Sequence, residues 1–568
     1  MMISRRAFAG GAIGAVAALH LPGRAAASGF GDSATMAAER IGPALNAIAA
    51  YARTHLQAVG LPGLTLGLSL PDGSSRTLNF GVANVAAQTP IGPATLFQVG
   101  SISKLMSAAV LAQLASEGRF AFTDQISALL AGLPLPPANG ITVQHLLDHL
   151  AGLAADAPLD PEGGLWIGYP PGQHWHYSNT GYEILGLLAQ KFGGKSMAQL
   201  VEQRIFRPLG MTGSVGAIRL ADRARYATGY QPANEEEAFV PGGALGEARW
   251  IDEAGAAGGV ASTAEDMSRL LRSLADAAQG RGGLGLPPAL ARTFAQHAVP
   301  TDTIEMTYGN ALMHVGNGPR TYLHHTGGMV GFSSSFHLDP VSGVAAFASS
   351  NIGFLAEYRP RLLTLFAVNA LTEALAGKPI PRPPPVGIVL PVPAAYSGHF
   401  AGPSGSFEVR LSGASLAIIA GGRSDPLIPV GGDLFRTAHP AFRRYSLLFE
   451  RRANTIGGAS WGPLSYLRSE TSGLLPPSNP ALARLAGRFV NDSPWFGAHQ
   501  LVERGGRLWI GTEVPLTPIG QNLWRVGQEP WSPERASFAD FDGDVPATLI
   551  WSGEKFVRRD IQARSASH

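Results

Sequence analysis

In the stretch VGSISKLMSAAVLAQL, Val99 to Leu114, a serine and a lysine stand three positions apart where the apolar spacing predicts the first turn of a buried helix. Residues at i and i+3 share a helix face, so Ser101 and Lys104 can touch. A hydroxyl is a poor nucleophile until a neighbouring base takes its proton. A lysine serves as that base only where burial and nearby positive character lower its pKa. The apolar run beyond Lys104 supplies the burial, and the helix N-terminus brings free N–H groups and positive dipole character to the serine. Lysine is scarce, occurring only at 104, 191, 195, 378 and 555. The bland alternative is an ordinary helix start beside a lysine with a buried stem and a wet head. A second Ser-x-x-Lys, Ser552 to Lys555, falls in a strand-like run without a helix and is set aside.

Two further stretches supply complementary groups. PPGQHWHYSNTGYEILGLL places Tyr177 and Asn179 just before an apolar helix. A tyrosine there can relay a proton between the Ser101/Lys104 pair and a leaving group, and the Asn179 amide can hold Lys104 and a substrate carbonyl. Otherwise the two are a loop tyrosine and a turn asparagine. A rival Tyr-x-Asn, Tyr308 to Asn310, sits in a predicted strand without these flanks. In LHHTGGMVGFSSSF, His325 and Thr326 open a strand whose Gly327 and Gly328 let the backbone approach a ligand closely. The N–H groups of Gly328 and Ser101 can then form an oxyanion hole. The plainer reading makes His324 and His325 a satisfied pair beside a glycine turn.

Taken in order, these stretches resemble the serine β-lactamase and penicillin-binding protein superfamily, in which Ser-x-x-Lys, Tyr-x-Asn and Lys-Thr-Gly or His-Thr-Gly follow one another. The resemblance covers about Ala49 to Asn351 and includes FQVGSISK, ITVQHLLDHLAGL, GGVASTAEDM and HTGGMVGFSS. It implies that Ser101 is acylated, that Lys104 and Tyr177 share the acid and base work, that Asn179 positions, and that His325, Thr326, Gly327 and Gly328 line the site. Class C β-lactamases, DD-peptidases, D-aminopeptidases and family VIII esterases are the most similar branches. His325 stands where typical class C enzymes carry lysine, which weakens a clamp on a substrate carboxylate. His-Thr-Gly is similar to the DD-peptidase and D-stereospecific peptidase pattern. DHLAGL departs from the more usual THTSGL and gives Asp148 no assigned role. The expected activity is hydrolysis of a D-residue amide through an acyl-enzyme. Ester or weak β-lactam hydrolysis is the alternative, and a non-catalytic cell-wall-binding protein is the alternative from another class. No metal or organic cofactor is expected.

Other chemistry is less well supported. GASWG, 458–462, fits Gly-x-Ser-x-Gly, but Pro463 follows and no helix begins there. His145 and His149 have metal-ligand spacing, yet lack the Glu of His-Glu-x-x-His and a third ligand, so they read as structural histidines. No phosphate loop or dinucleotide fingerprint occurs.

These residues need a scaffold, and the chain is long enough for several domains: 568 residues, 45% hydrophobic and 15% charged, with no cysteine. Disulfides and thiol catalysis are therefore excluded. Residues 1–27 have the layout of a Tat-type export signal: Arg5-Arg6, Phe8, a mildly apolar stretch and Ala25 to Ala27. A periplasmic or otherwise exported product starting near Ser28 is expected, with no later membrane-spanning segment. Removing the three leader arginines takes the net charge from +2 to near minus one, which argues against a nucleic-acid surface. LTLGLSL, 64–70, has leucine at every second position and begins a hairpin, STAEDMSRLLRSL has a capping box of Thr263 and Asp266, and strand signals return after residue 331. This pattern predicts an α/β (α+β) unit over 28–378 whose antiparallel sheet joins remote parts of the chain. A proline-rich linker occupies 379–395. Beyond it, PLIPVGGDLFR (Pro426 to Arg436) recurs as PLTPIGQNLWR (Pro515 to Arg525), identical at six of eleven positions and offset by 89. YSGHF and LAGRF repeat at the same offset, predicting tandem antiparallel β-barrel-like modules at 396–472 and 481–561.

Overall fold

The computed structural model describes residues 30–136, 140–160, 164–303, 306–353, 356, 358–469, 471, 475 and 477–559. The leader read at 1–27 lies outside them. Helix α1 (Phe30–Val59) precedes strands β1 (Gly63–Ser69), β2 (Ser75–Asn84) and β3 (Thr89–Pro90). Helices α2 (Ser103–Ser116), α3 (Asn179–Gly193) and α4 (Ala264–Ala278) follow. The chain then returns to the sheet through β4 (Val299–Pro300), β5 (Met306–Gly309), β6 (Leu312–Asn317), β7 (Arg320–Met329), β8 (Phe332–Leu338) and β9 (Ala345–Ser350), and helix α5 (Arg361–Leu375) closes the unit. The nine-stranded sheet runs β3-β2-β1-β9-β8-β7-β6-β5-β4. All its pairings are antiparallel. Early β1 lies beside late β9, with Leu64 opposite Ser350 and Leu66 opposite Ala348, as the separated strand signals implied.

The leucines of β1 pack against Ile41, Ala44 and Ile48 of α1 and Leu363, Phe366 and Leu371 of α5. Every residue of β1 is buried. The second face carries Thr65, Gly67 and Ser69 because α4 lies directly on it. A Cβ at Gly67 would stand 2.2 Å from the Ala264 carbonyl oxygen and 2.5 Å from Ser268 Oγ. Helix α4 starts where expected, the Thr263 side chain accepting from the Asp266 N–H, although the reciprocal half of the capping box is absent: Asp266 Oδ2 accepts instead from the Gly213 N–H and the Ser214 hydroxyl, each at 2.8 Å. Helix α2 is enclosed by apolar side chains, among them Ile184, Leu185 and Leu188 of α3 and Leu270, Leu271 and Leu274 of α4. Burial of each large apolar side chain contributes roughly 1.5–3 kcal/mol, and that enclosure buries the polar residues of α2 as well.

The C-terminal region forms two closed eight-stranded barrels. Their sequence repeat is also a geometric one, since the register slips at Pro429/Gly431 in the first and at Pro518/Gly520 in the second. Phe400 and Phe489, the matched phenylalanines, are each 0% exposed in their own barrel cores. Among the described residues no helix is long and apolar enough to cross a membrane.

Because Gly67 is crowded by backbone, which cannot rotate away, Gly67→Ala is expected to lower stability by about 1–3 kcal/mol in denaturant unfolding. An unchanged midpoint would show that α4 can shift at little cost.

Candidate active site

Ser101 sits in a short 3-10 turn, Gly100–Ile102, that runs directly into α2. Strand β7 presses against this turn. Gly100 has φ +56°, and a Cβ there would lie 2.7 Å from both the N and the O of Gly328. A Cβ on Gly327 would lie 1.9 Å from the Val99 carbonyl oxygen and 3.2 Å from Ser101 N. Two glycines, Gly100 and Gly327, therefore permit two backbones to meet, and the backbone nitrogens of Ser101 and Gly328 lie at that contact. The start of α2 is fixed from the other side: Val99 N–H donates to the Val260 carbonyl at 3.1 Å, Val260 N–H to Ser103 Oγ at 3.1 Å and Ser107 Oγ to the Ala256 carbonyl at 2.8 Å.

Lys104 is 0% exposed. Its ammonium nitrogen donates to Ser101 Oγ at 3.2 Å, to Asn179 Oδ1 at 2.7 Å and to the Ala257 carbonyl at 2.9 Å. No carboxylate among the described residues bonds it. Burial therefore dominates and lowers its pKa to about 7, against the opposing charges of Glu183, Asp156 and Glu253 at longer range. The amine lies 4.9 Å from the Tyr177 ring centroid and 5.3 Å from that of Tyr182, which eases the cost of the charged form.

The Tyr177 hydroxyl is buried and has no hydrogen-bond partner among the described residues. Burial pushes its pKa up, with the Ser101 hydroxyl the first group opposing that rise, so the phenol keeps its proton at neutral pH. Its ring lies 4.3 Å from that of His149, a left-handed residue whose Nδ1 accepts from the Ser178 N–H at 3.1 Å. Asn179 starts α3, and its amide donates to Asp156 Oδ1 at 2.7 Å while its oxygen receives Lys104. Ser101, Lys104, Tyr177, Asn179, Gly327 and Gly328 are thus brought together. His325 and half-buried Thr326 precede the glycines on β7. Burial pushes the His325 imidazole down to about 3, so it is neutral; Nδ1–H donates to the Thr326 carbonyl at 2.6 Å, leaving Nε2 to accept from the Tyr308 hydroxyl at 3.3 Å.

Tyr308, set aside in the sequence, is therefore part of the site's support. Asp148 helps to place it: its carboxylate accepts from the Asn310 N–H at 3.1 Å and pairs with His297 at 2.7 Å, which raises the His297 pKa. Asp156 and Glu183, which accepts from the Ala257 N–H at 3.0 Å, were also missed. Their only sequence signal is an acidic residue near a motif, which is common in loops and helix turns. His145 and His149 serve separate ends: the His145 imidazole caps its own short helix. Ser460 lies within the strand Thr455–Trp461 and donates to Glu450, so Gly458 to Gly462 form no elbow. Ser552 donates to Glu534 in the second barrel.

A family model described as Beta-lactamase matches residues 48–367. The Escherichia coli (strain K12) beta-lactamase is 27% identical over 223 residues, 38% of this chain and 56% of that one. Penicillin-binding protein 4 of Amycolatopsis lactamdurans is 28% identical over 183 residues, 29% of this chain and 48% of its own. The chain spans about half the length of the curated relatives it matches. Among solved structures, the octameric penicillin-binding protein homologue from Pyrococcus abyssi superimposes with TM-score 0.53 at 20% identity, covering 75% of this chain and all of that one. The D-amino acid amidase from Ochrobactrum anthropi SV3 does so with TM-score 0.50 at 24%, over 59% of this chain and 99% of its own. These two likenesses concern the fold alone.

Gly327→Ala, which must push β7 off the Ser101 turn, is expected to slow labelling of Ser101 by a fluorophosphonate about 100-fold with the circular dichroism spectrum retained. Labelling at the wild-type rate would mean that the strand plays no part in the reaction geometry.

Proposed function

The chain belongs to the beta-lactamase family, and on that premise we propose that it is a serine hydrolase whose acyl-enzyme forms on Ser101, with amides of D-residues as its substrates. The carrying observation is the buried Lys104 amine, bonded to the Ser101 hydroxyl and to no carboxylate among the described residues. With its pKa near 7, a substantial share of this amine is free base at neutral pH and can take the hydroxyl proton as Ser101 Oγ attacks the substrate carbonyl. The oxyanion that forms is met by the N–H groups of Ser101 and Gly328. Tyr177, protonated and without a partner, gives its proton to the departing amine and recovers one from Lys104. A water, deprotonated by the same pair, then attacks the ester carbonyl and frees the acid.

The D-residue amide is favoured over an acidic β-lactam because His325, neutral and occupied by Thr326 and Tyr308, brings no positive charge to a substrate carboxylate. Arg5-Arg6, the mildly apolar stretch and Ala25 to Ala27 support export by a Tat-type signal, which would set the proposed reaction outside the cytoplasm.

Intact mass after fluorophosphonate treatment should show one adduct on the wild type and none on Ser101→Ala. Absence of the wild-type adduct would leave a cell-wall-binding role instead. In a comparison of kcat/KM on a D-alanyl amide, p-nitrophenyl butyrate and nitrocefin, the amide should lead, and turnover of the ester alone would overturn the substrate assignment. For pH the sign follows from a lowered lysine pKa: activity is present above about 7 and lost below as Lys104 gains a proton. Lys104→Met should reduce kcat by about 100-fold or more and abolish that acidic limb.

A further inference from the structure

The second barrel reaches the catalytic unit at residues that flank its reacting groups. Glu534, just ahead of the barrel strand Arg535–Asp542, is 3% exposed. Its carboxylate accepts from the Ala155 N–H at 2.6 Å, from His176 Nε2 at 2.9 Å and from the Ser552 hydroxyl at 2.6 Å. Ala155 precedes Asp156, the partner of Asn179, and its carbonyl accepts from the Asn179 and Thr180 N–H groups at 2.7 and 3.2 Å. His176 precedes Tyr177. One carboxylate from another domain thus ties together the two segments that carry Asp156 and Tyr177.

A second contact arrives through an enlarged hairpin. In the first barrel, only residues 403–404 separate the strands Gly398–Gly402 and Gly405–Ser412. In the second, residues 491–497 separate Gly487–Val490 from Ala498–Arg504, and they carry Trp495. Its indole N–H donates to Asp156 Oδ1 at 3.3 Å, the same oxygen that receives the Asn179 amide. Its ring packs against the buried cluster to which Phe97, Met329 and Phe332 belong, and Met329 follows Gly328. Around these contacts Trp166 Nε1 donates to the Pro533 carbonyl at 2.8 Å, and Trp531 stacks on His174 with centroids 4.4 Å apart.

We propose that the second barrel is part of the catalytic apparatus: Glu534 and Trp495 are positioning residues that hold Tyr177 and the Asp156–Asn179–Lys104 chain in reacting geometry with Ser101. The inference rests on the acyl-enzyme reading above. The Tyr177 hydroxyl makes no full hydrogen bond and has the Ser101 hydroxyl near it, so its direction toward Ser101 is set by ring packing and by where its backbone is held. That backbone is held by the His176 N–H bonded to the His149 carbonyl at 2.9 Å, by the Ser178 bonds, and by the His176 side chain on Glu534. Burial alone would raise the Glu534 pKa, but the bond to His176 and its charge, with the Ser552 and Ala155 donors, outweigh that and hold it at about 2. Glu534 is therefore a fixed carboxylate at any working pH. Removing an acceptor here strands buried donors on both segments, which relax only by moving.

The test compares full-length Glu534→Met, Trp495→Phe and Ser552→Ala with the wild type. The readouts are the rate of fluorophosphonate labelling at Ser101, kcat and KM on the best substrate, and Tm. Ser552→Ala removes a bond to the same carboxylate from the barrel side, so it reports structural loss alone: Tm falls while labelling and kcat stay within twofold. Glu534→Met, which leaves no acceptor for either segment, is expected to lose at least tenfold in labelling rate and kcat with KM within twofold, and Trp495→Phe at least threefold. If folded Glu534→Met keeps wild-type labelling and kcat, the inference is overturned while the acyl-enzyme reading stands. Should Glu534→Met not fold, Trp495→Phe decides, and unchanged kcat there overturns the inference equally. A wild type that takes no label at Ser101 removes the acyl-enzyme reading, and the inference with it.

Discussion

A lysine amine enclosed in apolar surroundings, without a carboxylate bonded to it, is the constraint from which the rest follows. Charging such an amine costs free energy that the fold offsets only in part, through the Asn179 amide oxygen, the Ala257 carbonyl and two aromatic faces. The neutral amine is thereby kept within reach at ordinary pH, which no surface lysine achieves. An aspartate or glutamate bonded directly to it would restore the charge and remove the free base that the proposed mechanism needs. The acidic residues nearby are kept one step away: Asp156 bonds Asn179 and Glu183 bonds the Ala257 N–H, so each supports a ligand of the amine rather than the amine itself.

The enclosure has to be built from distant parts of the chain. The apolar jacket of α2 comes from helices in the middle of the unit, and the backbone facing Ser101 comes from a late strand. That strand is fixed by a sheet whose centre pairs β1 with β9. The glycines at 100 and 327 mark where this assembly is tightest, because only a residue without a Cβ lets turn and strand touch. Sheet, helical layer and the Ser101 turn therefore form one mechanical problem, and small side chains at the contacts solve it.

Much of this was legible in the sequence because the chemistry depends on short local patterns. Ser101 and Lys104 are three positions apart, Tyr177 and Asn179 two apart, and the glycines are adjacent, so each group announces itself without knowledge of the others. The hairpin of β1 and β2, the Thr263 cap and the duplicated barrels were readable for the same reason. What could not be read depends on long-range packing. That a helix covers the second face of β1 is hinted at only by the small residues at 65, 67 and 69. Tyr308 was passed over for lacking motif flanks, yet its value is its hydroxyl on His325, two strands away across β6. Asp148 serves a turn more than 150 residues away, and no local pattern encodes such a pairing.

The shared register slip of the two barrels shows that one scaffold was used twice, and the longer hairpin shows that the copies were not kept equivalent. The first barrel meets the catalytic unit at a surface loop, where the Ala238 N–H bonds the Arg443 carbonyl. Its further obligations are its phenylalanine-rich interior and its seam with the second barrel, where the Gly462 N–H donates to Thr512 Oγ1 at 3.0 Å and the Thr512 hydroxyl to the Ser446 carbonyl at 2.7 Å. Its twin carries obligations at both ends, to its own interior and to a reaction elsewhere in the molecule. Inherited variation should accordingly accumulate unevenly between two folds that share one eight-stranded plan. A domain boundary drawn by shape alone would then misplace the boundary of what selection must preserve.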